Sequence, residues 1–206
     1  NQQKEFKILS LGDSYTIGES VCETCRFPEQ LKDSLSINFK KDTTFSLRVI
    51  ARTGWTTTNL INAIEQENIS DDFDLVTLLI GVNNQFQKRE FSIYEKEFPA
   101  LITTSIKAAN DKKKNLIVVS IPDYAFTPFG QTKSDPSKIS EELAQYDAYA
   151  KKIADAKGVS FENIPPITRK GLEQKNLVAS DGLHPSKEAY RLFVEKIFAE
   201  AKKIVY

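Results

Sequence analysis

Histidine and tryptophan each occur only once in this chain of 206 residues, and methionine does not occur at all. Two cysteines are too few for a disulfide scaffold, and with one histidine they cannot complete a zinc site without carboxylates. The 28 basic and 28 acidic side chains cancel, so no net charge attracts nucleic acid or an anionic membrane. No apolar run reaches the roughly 20 residues of a transmembrane segment. The sequence therefore predicts a globular protein that has no nucleic-acid partner and no transmembrane segment.

The remaining composition is typical of a globular domain. Apolar residues make up 40% of the chain and charged residues 27%. A chain of this length buries roughly 70% of its unfolded surface in one core. Since no repeat, low-complexity tract or linker interrupts the pattern, we expect a single domain over residues 1–206.

The start of the chain and its cysteines bear on the compartment. The chain begins at Asn1 without a charged-then-apolar leader, which both a cleaved secretion signal and a cloning choice explain. With its polar, aromatic loops, this start favours an exported protein over a cytoplasmic one. Cys22 and Cys25 are read as a small loop, which a short disulfide closes if the protein is exported. A thioredoxin-like redox role is disfavoured, because such a motif needs a strand before it and a helix after it, and here a serine-containing turn intervenes after the first strand.

Five short β-rich runs alternate with segments of helical periodicity. The runs cover residues 6–11, 45–51, 74–80, 115–121 and 159–164. Such alternation predicts parallel pairing through right-handed crossovers. The fold class is therefore α/β, a three-layer α/β/α sandwich with about five parallel strands. Ligands of such sheets bind beyond the carboxyl ends of the strands.

Residues suited to acyl transfer follow the predicted strand ends. A serine hydroxyl such as that of Ser14 is a weak nucleophile and needs a base near pH 7. Histidine, with an ordinary pKa of ~6.5, is the suitable side chain, and His184 is the single candidate. Asp181 can fix the imidazole tautomer and stabilise its charged form. The Ser14 and Gly54 N–H groups and the Asn83 side-chain amide can form an oxyanion hole.

These residues lie in four short blocks that resemble those of the GDSL, or SGNH, hydrolase family. The blocks read Gly12-Asp13-Ser14, Gly54, Gly81-Val82-Asn83-Asn84 and Asp181-Gly182-Leu183-His184. The resemblance implies a flavodoxin-like sandwich with no metal or organic cofactor. It also implies a nucleophile at Ser14, a base and then acid at His184, an orienting carboxylate at Asp181, and the same three oxyanion donors. Tyr15 replaces the family's usual leucine and Asn84 its usual aspartate, which leaves the substrate class open.

Each block alone is ordinary turn chemistry, but all four in order favour catalysis. Side chains beside the blocks and in the segment after the fourth strand are the candidates for substrate contact, and packing or capping explains some of them equally well. These candidates are Tyr15, Trp55, Gln85, Tyr124 and Phe126. Residues 123–137 are expected to form a long loop whose aromatic side chains, Phe129 included, make an apolar or sugar-stacking wall.

Two classes of function remain. The first is a serine hydrolase that cleaves a small or medium acyl ester through an acyl-enzyme. Its substrate would be an acetylated carbohydrate, or a lipid or thioester in a lysophospholipase- or thioesterase-type member. The second is a flavodoxin-like protein whose turn after the first strand cradles a phosphate or flavin. An α/β-hydrolase-type lipase is excluded because the sequence has no G-x-S-x-G turn.

Overall fold

A five-stranded parallel sheet forms the centre of the computed structural model, which describes residues 4–39 and 43–205. The strands are β1 (Lys4–Gly12), β2 (Thr43–Ala51), β3 (Leu75–Leu79), β4 (Leu116–Val119) and β5 (Ser160–Glu162). Their spatial order is β2-β1-β3-β4-β5, the order of flavodoxin-like doubly wound sheets. Each predicted β-rich run overlaps one strand, and the predicted α/β/α fold class is confirmed.

Nine α-helices connect or follow these strands within the described residues. They are α1 (Ser14–Ile17), α2 (Phe27–Asn38), α3 (Thr57–Glu67), α4 (Val82–Phe86), α5 (Phe91–Ala108), α6 (Pro128–Gln131), α7 (Pro136–Lys157), α8 (Pro165–Thr168) and α9 (Lys187–Val205). Short 3₁₀ turns lie at Glu23–Cys25, Lys113–Asn115, Tyr124–Phe126 and Lys175–Leu177. Across both described stretches, no helix combines the length and the apolar character needed to cross a membrane.

The core lies between the sheet and two helical layers. Helix α2 packs against α9, while α5 packs against both α3 and α7. The inner strands β3 and β4 are buried along their whole length, as expected for strands covered on both faces. Large side chains of the helices fill the layers, among them Tyr94 and Phe98 of α5 and Tyr190 and Phe193 of α9. Burying each contributes about 1.5–3 kcal/mol, so the helix stripes hold the sheet in place.

The register of the three neighbouring strands aligns their carboxyl ends. Gly12, the last residue of β1, pairs with Ala51 at the end of β2 and with Leu79 at the end of β3. The three following loops therefore leave the sheet at one level. Ser14, Gly54 and Asn83, each a few residues further on, belong to this shared edge.

The segment 123–137 is not the long irregular loop that its composition predicts. It contains the 3₁₀ turn Tyr124–Phe126 and helix α6, and α7 begins at Pro136. Asp123 Oδ1 accepts a hydrogen bond from the Ala125 amide at 3.2 Å, and Thr127 Oγ1 accepts one from the Gly130 amide at 3.0 Å. These local caps satisfy the backbone polar groups, so the prediction of a long loop was wrong.

Candidate active site

Ser14 stands at the end of β1 because the turn before it is tightly built. A Cβ atom at Gly12 would lie 2.2 Å from Thr16 Oγ1 and 2.4 Å from the Leu79 carbonyl oxygen, so only glycine fits there. Asp13 is the N-cap of α1, and its Oδ1 accepts a hydrogen bond from the Tyr15 amide at 3.0 Å. Ser14 is therefore the first residue of a helical turn directly beyond the strand.

Three hydrogen-bond donors at this edge are not fully used by the protein. In the turn over residues 12–19, the amides of residues 15–19 donate hydrogen bonds, and the Ser14 amide does not. Among the described residues the Gly54 amide donates none either, and Gly54 has a φ of +85°, which favours glycine. Asn83 Nδ2 donates to the Trp55 carbonyl oxygen at 3.0 Å, which leaves its second hydrogen. Such donors can stabilise an oxyanion.

Asp181, in the loop before α9, contacts both the ring and the backbone amide of His184. His184 Nδ1 lies 2.6 Å from Asp181 Oδ2. Asp181 Oδ1 accepts hydrogen bonds from the Leu183 and His184 amides, both at 2.9 Å, across a turn in which Gly182 has a φ of +73°. This contact orients the imidazole and engages Nδ1, so that Nε2 is the nitrogen left to exchange a proton with a substrate or nucleophile.

The charge of Asp181 follows from its partners. Partial burial acts to raise the pKa of Asp181, but hydrogen bonds from Ser20, the His184 ring and two backbone amides outweigh it. The pKa of Asp181 therefore lies well below its ordinary value. A carboxylate that stays ionised can stabilise the imidazolium that forms when His184 takes a proton.

Two contacts bring the Ser14 turn and the His184 loop together. The Tyr15 and His184 rings meet edge to face, with centroids 5.9 Å apart and planes at 65°. Ser20, which follows α1, donates its hydroxyl to Asp181 Oδ2 at 2.7 Å. Among the described residues, Ser14 makes no direct hydrogen bond to His184. Catalytic hydrogen bonds of substrate-free enzymes are often long and tighten when substrate binds.

The third block is held by its own glycine and by Asn84. Gly81 has a φ of +131°, and a Cβ atom there would lie 2.9 Å from atoms of Ile121 and Tyr94. Asn84 is fully buried, accepts a hydrogen bond from the Thr57 amide at 3.0 Å and donates one to Thr57 Oγ1 at 2.7 Å. Asn84 therefore ties α4 to the start of α3, a structural role in this chain for the position where the family usually has aspartate.

Four of the five candidate substrate contacts lie around this edge. Tyr15 and Tyr124 are buried and border a small cavity together with His184. Trp55 is partly buried and offers its carbonyl to Asn83. Gln85 is buried and follows Asn83 on α4.

The fifth candidate has a different neighbour. Phe126 lies in the 3₁₀ turn before α6, and the Arg169 guanidinium carbon is 5.9 Å from its ring centroid. Neither the cavity beside His184 nor the larger cleft beside Gln85 has Phe126 in its lining. Its present contact is thus with a cation rather than with either concave surface.

Sequence reasoning missed Ser20 and the role of Asp13. Ser20 lies 161 positions from Asp181, and no local pattern signals a bond at such a distance. Asp13 is fully buried, its Oδ2 has no hydrogen-bond partner, and burial raises its pKa to about 7. A polar capping residue directly after a strand signals a turn but not an unpaired carboxyl group. The two cysteines, whose state the sequence left open, form a disulfide.

Comparisons with known proteins agree with this geometry. A model of the GDSL-like lipase/acylhydrolase family matches residues 10–192. A lipase/acylhydrolase from Enterococcus faecalis shares 21% identity at a TM-score of 0.71, with 96% of each chain covered. A lipolytic G-D-S-L family member from Veillonella parvula shares 18% identity at a TM-score of 0.70, covering 94% of this chain and 97% of its own.

A third similar structure is a variant of an acetyl xylan esterase from Geobacillus stearothermophilus. It shares 17% identity at a TM-score of 0.71, covering 98% of this chain and 97% of its own. These structures share the fold at low identity. No curated protein sequence matches the chain. The family model spans most of the chain and all four blocks, so the chain belongs to the GDSL-like lipase/acylhydrolase family and is a carboxylic ester hydrolase.

Proposed function

We infer that this protein hydrolyses an ester with a small or medium acyl group through an acyl-enzyme on Ser14, and that acetylated carbohydrates are its substrates. The observation that carries the proposal is the arrangement at His184. Its Nδ1 lies 2.6 Å from a carboxylate that stays ionised, while its ring contacts the residue that follows Ser14. A histidine held in this way is a general base for a nearby hydroxyl.

The first half of the reaction forms the acyl-enzyme. Ser14 Oγ attacks the ester carbonyl carbon while its proton passes to His184 Nε2. The negative charge that develops on the carbonyl oxygen is stabilised by donors from Ser14, Gly54 and Asn83. When the tetrahedral intermediate collapses, the bond to the alcohol breaks, and the alcohol takes the proton from Nε2.

The second half regenerates the enzyme. A water molecule attacks the acyl carbon and gives its proton to His184 Nε2. Collapse of the second tetrahedral intermediate breaks the bond to Ser14 Oγ, which takes that proton back. The products are the free carboxylic acid and the alcohol, and Asp181 keeps its charge throughout.

The acyl group and alcohol are inferred from the surroundings of the site. The cavity that Tyr15, Tyr124 and His184 border is small, which suits a short acyl group. Similarity to an acetyl xylan esterase supports an acetyl group on a sugar. A phosphate or flavin site is disfavoured, since α1 has only four residues and the Asp13 carboxyl occupies its N-terminus.

The test compares the purified protein with the Ser14→Ala and His184→Ala variants. We expect aryl acetate turnover to fall by at least about 10³-fold in each variant while the melting temperature changes little. A fluorophosphonate probe should label the parent protein on Ser14 and leave Ser14→Ala unlabelled. Full ester cleavage by Ser14→Ala would overturn the proposal. A series of aryl esters of increasing acyl length, run beside acetylated sugars, then defines the acyl group.

A further inference from the structure

A cleft of about 680 Å³ opens beside α4, between its end and the first half of α7. Four aromatic rings line it, from Phe86, Phe91, Tyr124 and Tyr146. The only aliphatic side chain in its lining is that of Ile139. Aromatic faces among polar side chains suit the alternating polar and apolar surfaces of a saccharide better than an alkyl chain.

The cleft adjoins the candidate active site. Tyr124 borders both this cleft and the small cavity beside His184. The Tyr124 hydroxyl donates to Gln85 Oε1 at 2.9 Å, and Gln85 Nε2 donates to Glu142 Oε2 at 2.7 Å. Gln85 lies two residues after Asn83 on α4, so the cleft begins where the proposed oxyanion hole ends.

Unpaired cations surround this cleft. Its lining contains four cationic side chains and two carboxylates. One of the cations, Lys138, lies 4.0 Å from Glu142, and the other carboxylate, Asp135, caps α7 by accepting from the Lys138 amide at 2.9 Å. Among the described residues, the remaining cations, Lys88, Arg89 and Lys133, have no carboxylate partner.

Two of these cations are held in unusual positions. The Lys133 ammonium lies 4.0 Å from the Phe129 ring centroid and 5.4 Å from that of Phe86, so aromatic rings rather than an acid hold it. Lys88 has a φ of +54°, a left-handed conformation that favours glycine or asparagine. A lysine at such a position puts a positive charge two residues after the end of α4, in the lining of the cleft.

We propose that this cleft binds the alcohol part of the substrate and that this part is a saccharide bearing an anionic group, such as a uronic acid. The inference rests on the proposed esterase function. In that reaction the short acyl group lies beside His184, so the anionic group must belong to the alcohol part of the substrate. Lys88, Arg89 and Lys133 attract the carboxylate, and the aromatic rings contact the sugar.

The experiment compares two acetyl esters that differ in one charge, a monoacetylated methyl glucuronide and the matching methyl glucoside. Wild-type kcat/KM should favour the anionic ester by about tenfold at low salt, and about 0.5 M NaCl should remove most of this preference. Replacing the three cations together, Lys88→Gln, Arg89→Gln and Lys133→Gln, should bring the ratio of the two kcat/KM values close to one. A wild-type ratio near one, or an unchanged ratio in the triple variant, would overturn the proposal.

The matched control is Lys114→Gln. Lys114 is exposed and lies in the 3₁₀ turn that leads into β4, at the opposite edge of the sheet, so the preference should persist in this variant. A melting curve of the triple variant checks that it folds, and the single Lys133→Gln variant carries the same test if it does not.

Binding separates this proposal from the esterase chemistry. In the Ser14→Ala protein, calorimetric titration with trigalacturonate should give binding that salt weakens, while the neutral xylotriose should bind more weakly. This measurement reports on the cleft even if neither ester is turned over. Equal binding of both sugars contradicts the proposal. Faster cleavage of lysophosphatidylglycerol than of the acidic sugar ester would mean that the cations bind a lipid phosphate, and it would overturn the proposal of a saccharide substrate.

Discussion

The sheet edge around Ser14 and the wall of the cleft beside α4 differ in whether their polar groups have hydrogen-bond partners. At the edge, Asp13 Oδ2 and Thr16 Oγ1 are buried without hydrogen-bond partners, and the Ser14 and Gly54 amides donate to nothing in the described chain. In the wall of the cleft, Tyr124, Gln85 and Glu142 form a continuous hydrogen-bonded chain. Unpaired groups cost stability, and active sites are where proteins keep them. The edge is built for a reaction, and the wall of the cleft is built as rigid support.

This difference predicts how variants behave. Changes at the edge should lower kcat for neutral and anionic esters alike, since they affect the reacting atoms. Changes in the cleft should alter KM rather than kcat, since they affect only the bound alcohol part. Three variants test this distinction, and a fourth, Asp13→Asn, tests the cost of an unpaired group at the edge. They follow from the largest expected effect to the smallest.

Asn83→Ala removes one donor from the proposed oxyanion hole. We expect kcat to fall by about 10²–10³-fold for both esters, because a lost oxyanion donor costs about 2.7–4 kcal/mol in the transition state. KM should change little. Steady-state kinetics measures the effect, and Asn38→Ala, which removes a side chain bonded to Ser34 at the end of α2, is the control. A kcat within about twofold of the parent would remove Asn83 from the hole.

Asp13→Asn tests the cost of the unpaired carboxyl group. Burial raises the pKa of Asp13 from 3.8 to about 7, so the folded protein holds a proton that the unfolded chain releases. Stability is therefore lost as pH rises from about 4 to about 7, and it stays lower above that range. The variant does not ionise, and its Oδ1 can still accept from the Tyr15 amide.

The readout for Asp13→Asn is its stability relative to the parent at two pH values. Moving from pH 5 to pH 8 should favour the variant by about 2–3 kcal/mol, as measured by urea unfolding. Any fixed cost of burying the new amide appears at both pH values and cancels. A relative stability that does not change with pH would mean that Asp13 is ionised throughout.

Ser20→Ala removes a hydrogen bond from Asp181 but leaves the nucleophile, base and carboxylate in place. Because the bonded carboxylate is partly exposed, we expect a loss of about 1 kcal/mol, or about fivefold in kcat for both esters. The pKa of Asp181 should also rise toward its ordinary value, but the carboxylate stays ionised at the pH of the assay, so the change in kcat is the readout. The exposed Ser36→Ala on α2 is the control. A kcat equal to that of the parent would mean that Ser20 only holds the loop in place.

The edge was predictable from the sequence, and the cleft was not. Strand alternation predicts the edge, and the first three blocks follow strand ends, so Gly12, Gly54 and Asn83 carry their own local signals. The cleft brings together the end of α4 and the start of α7, about 50 residues apart in the chain, through side-chain contacts. No short-range pattern reports such contacts, and Lys133 or Lys88 read alone resembles any solvated lysine. The helical turns of residues 123–137 were likewise not predictable, because each depends on a hydrogen bond to one capping side chain.

Tyr124→Phe affects the residue that both regions share. Burial raises the pKa of Tyr124 to about 12, so its hydroxyl stays protonated and donates to Gln85. Phenylalanine keeps the ring but frees Gln85, which loosens the wall of the cleft. The loss of one neutral hydrogen bond, about 0.5–1.5 kcal/mol, should raise KM for both esters by about two- to tenfold. Tyr149→Phe, which removes a hydroxyl bonded to the Glu95 carbonyl outside the cleft, is the control. An equal fall in kcat for both esters would instead assign Tyr124 to the edge, because only a residue that acts on the reacting atoms slows both substrates alike.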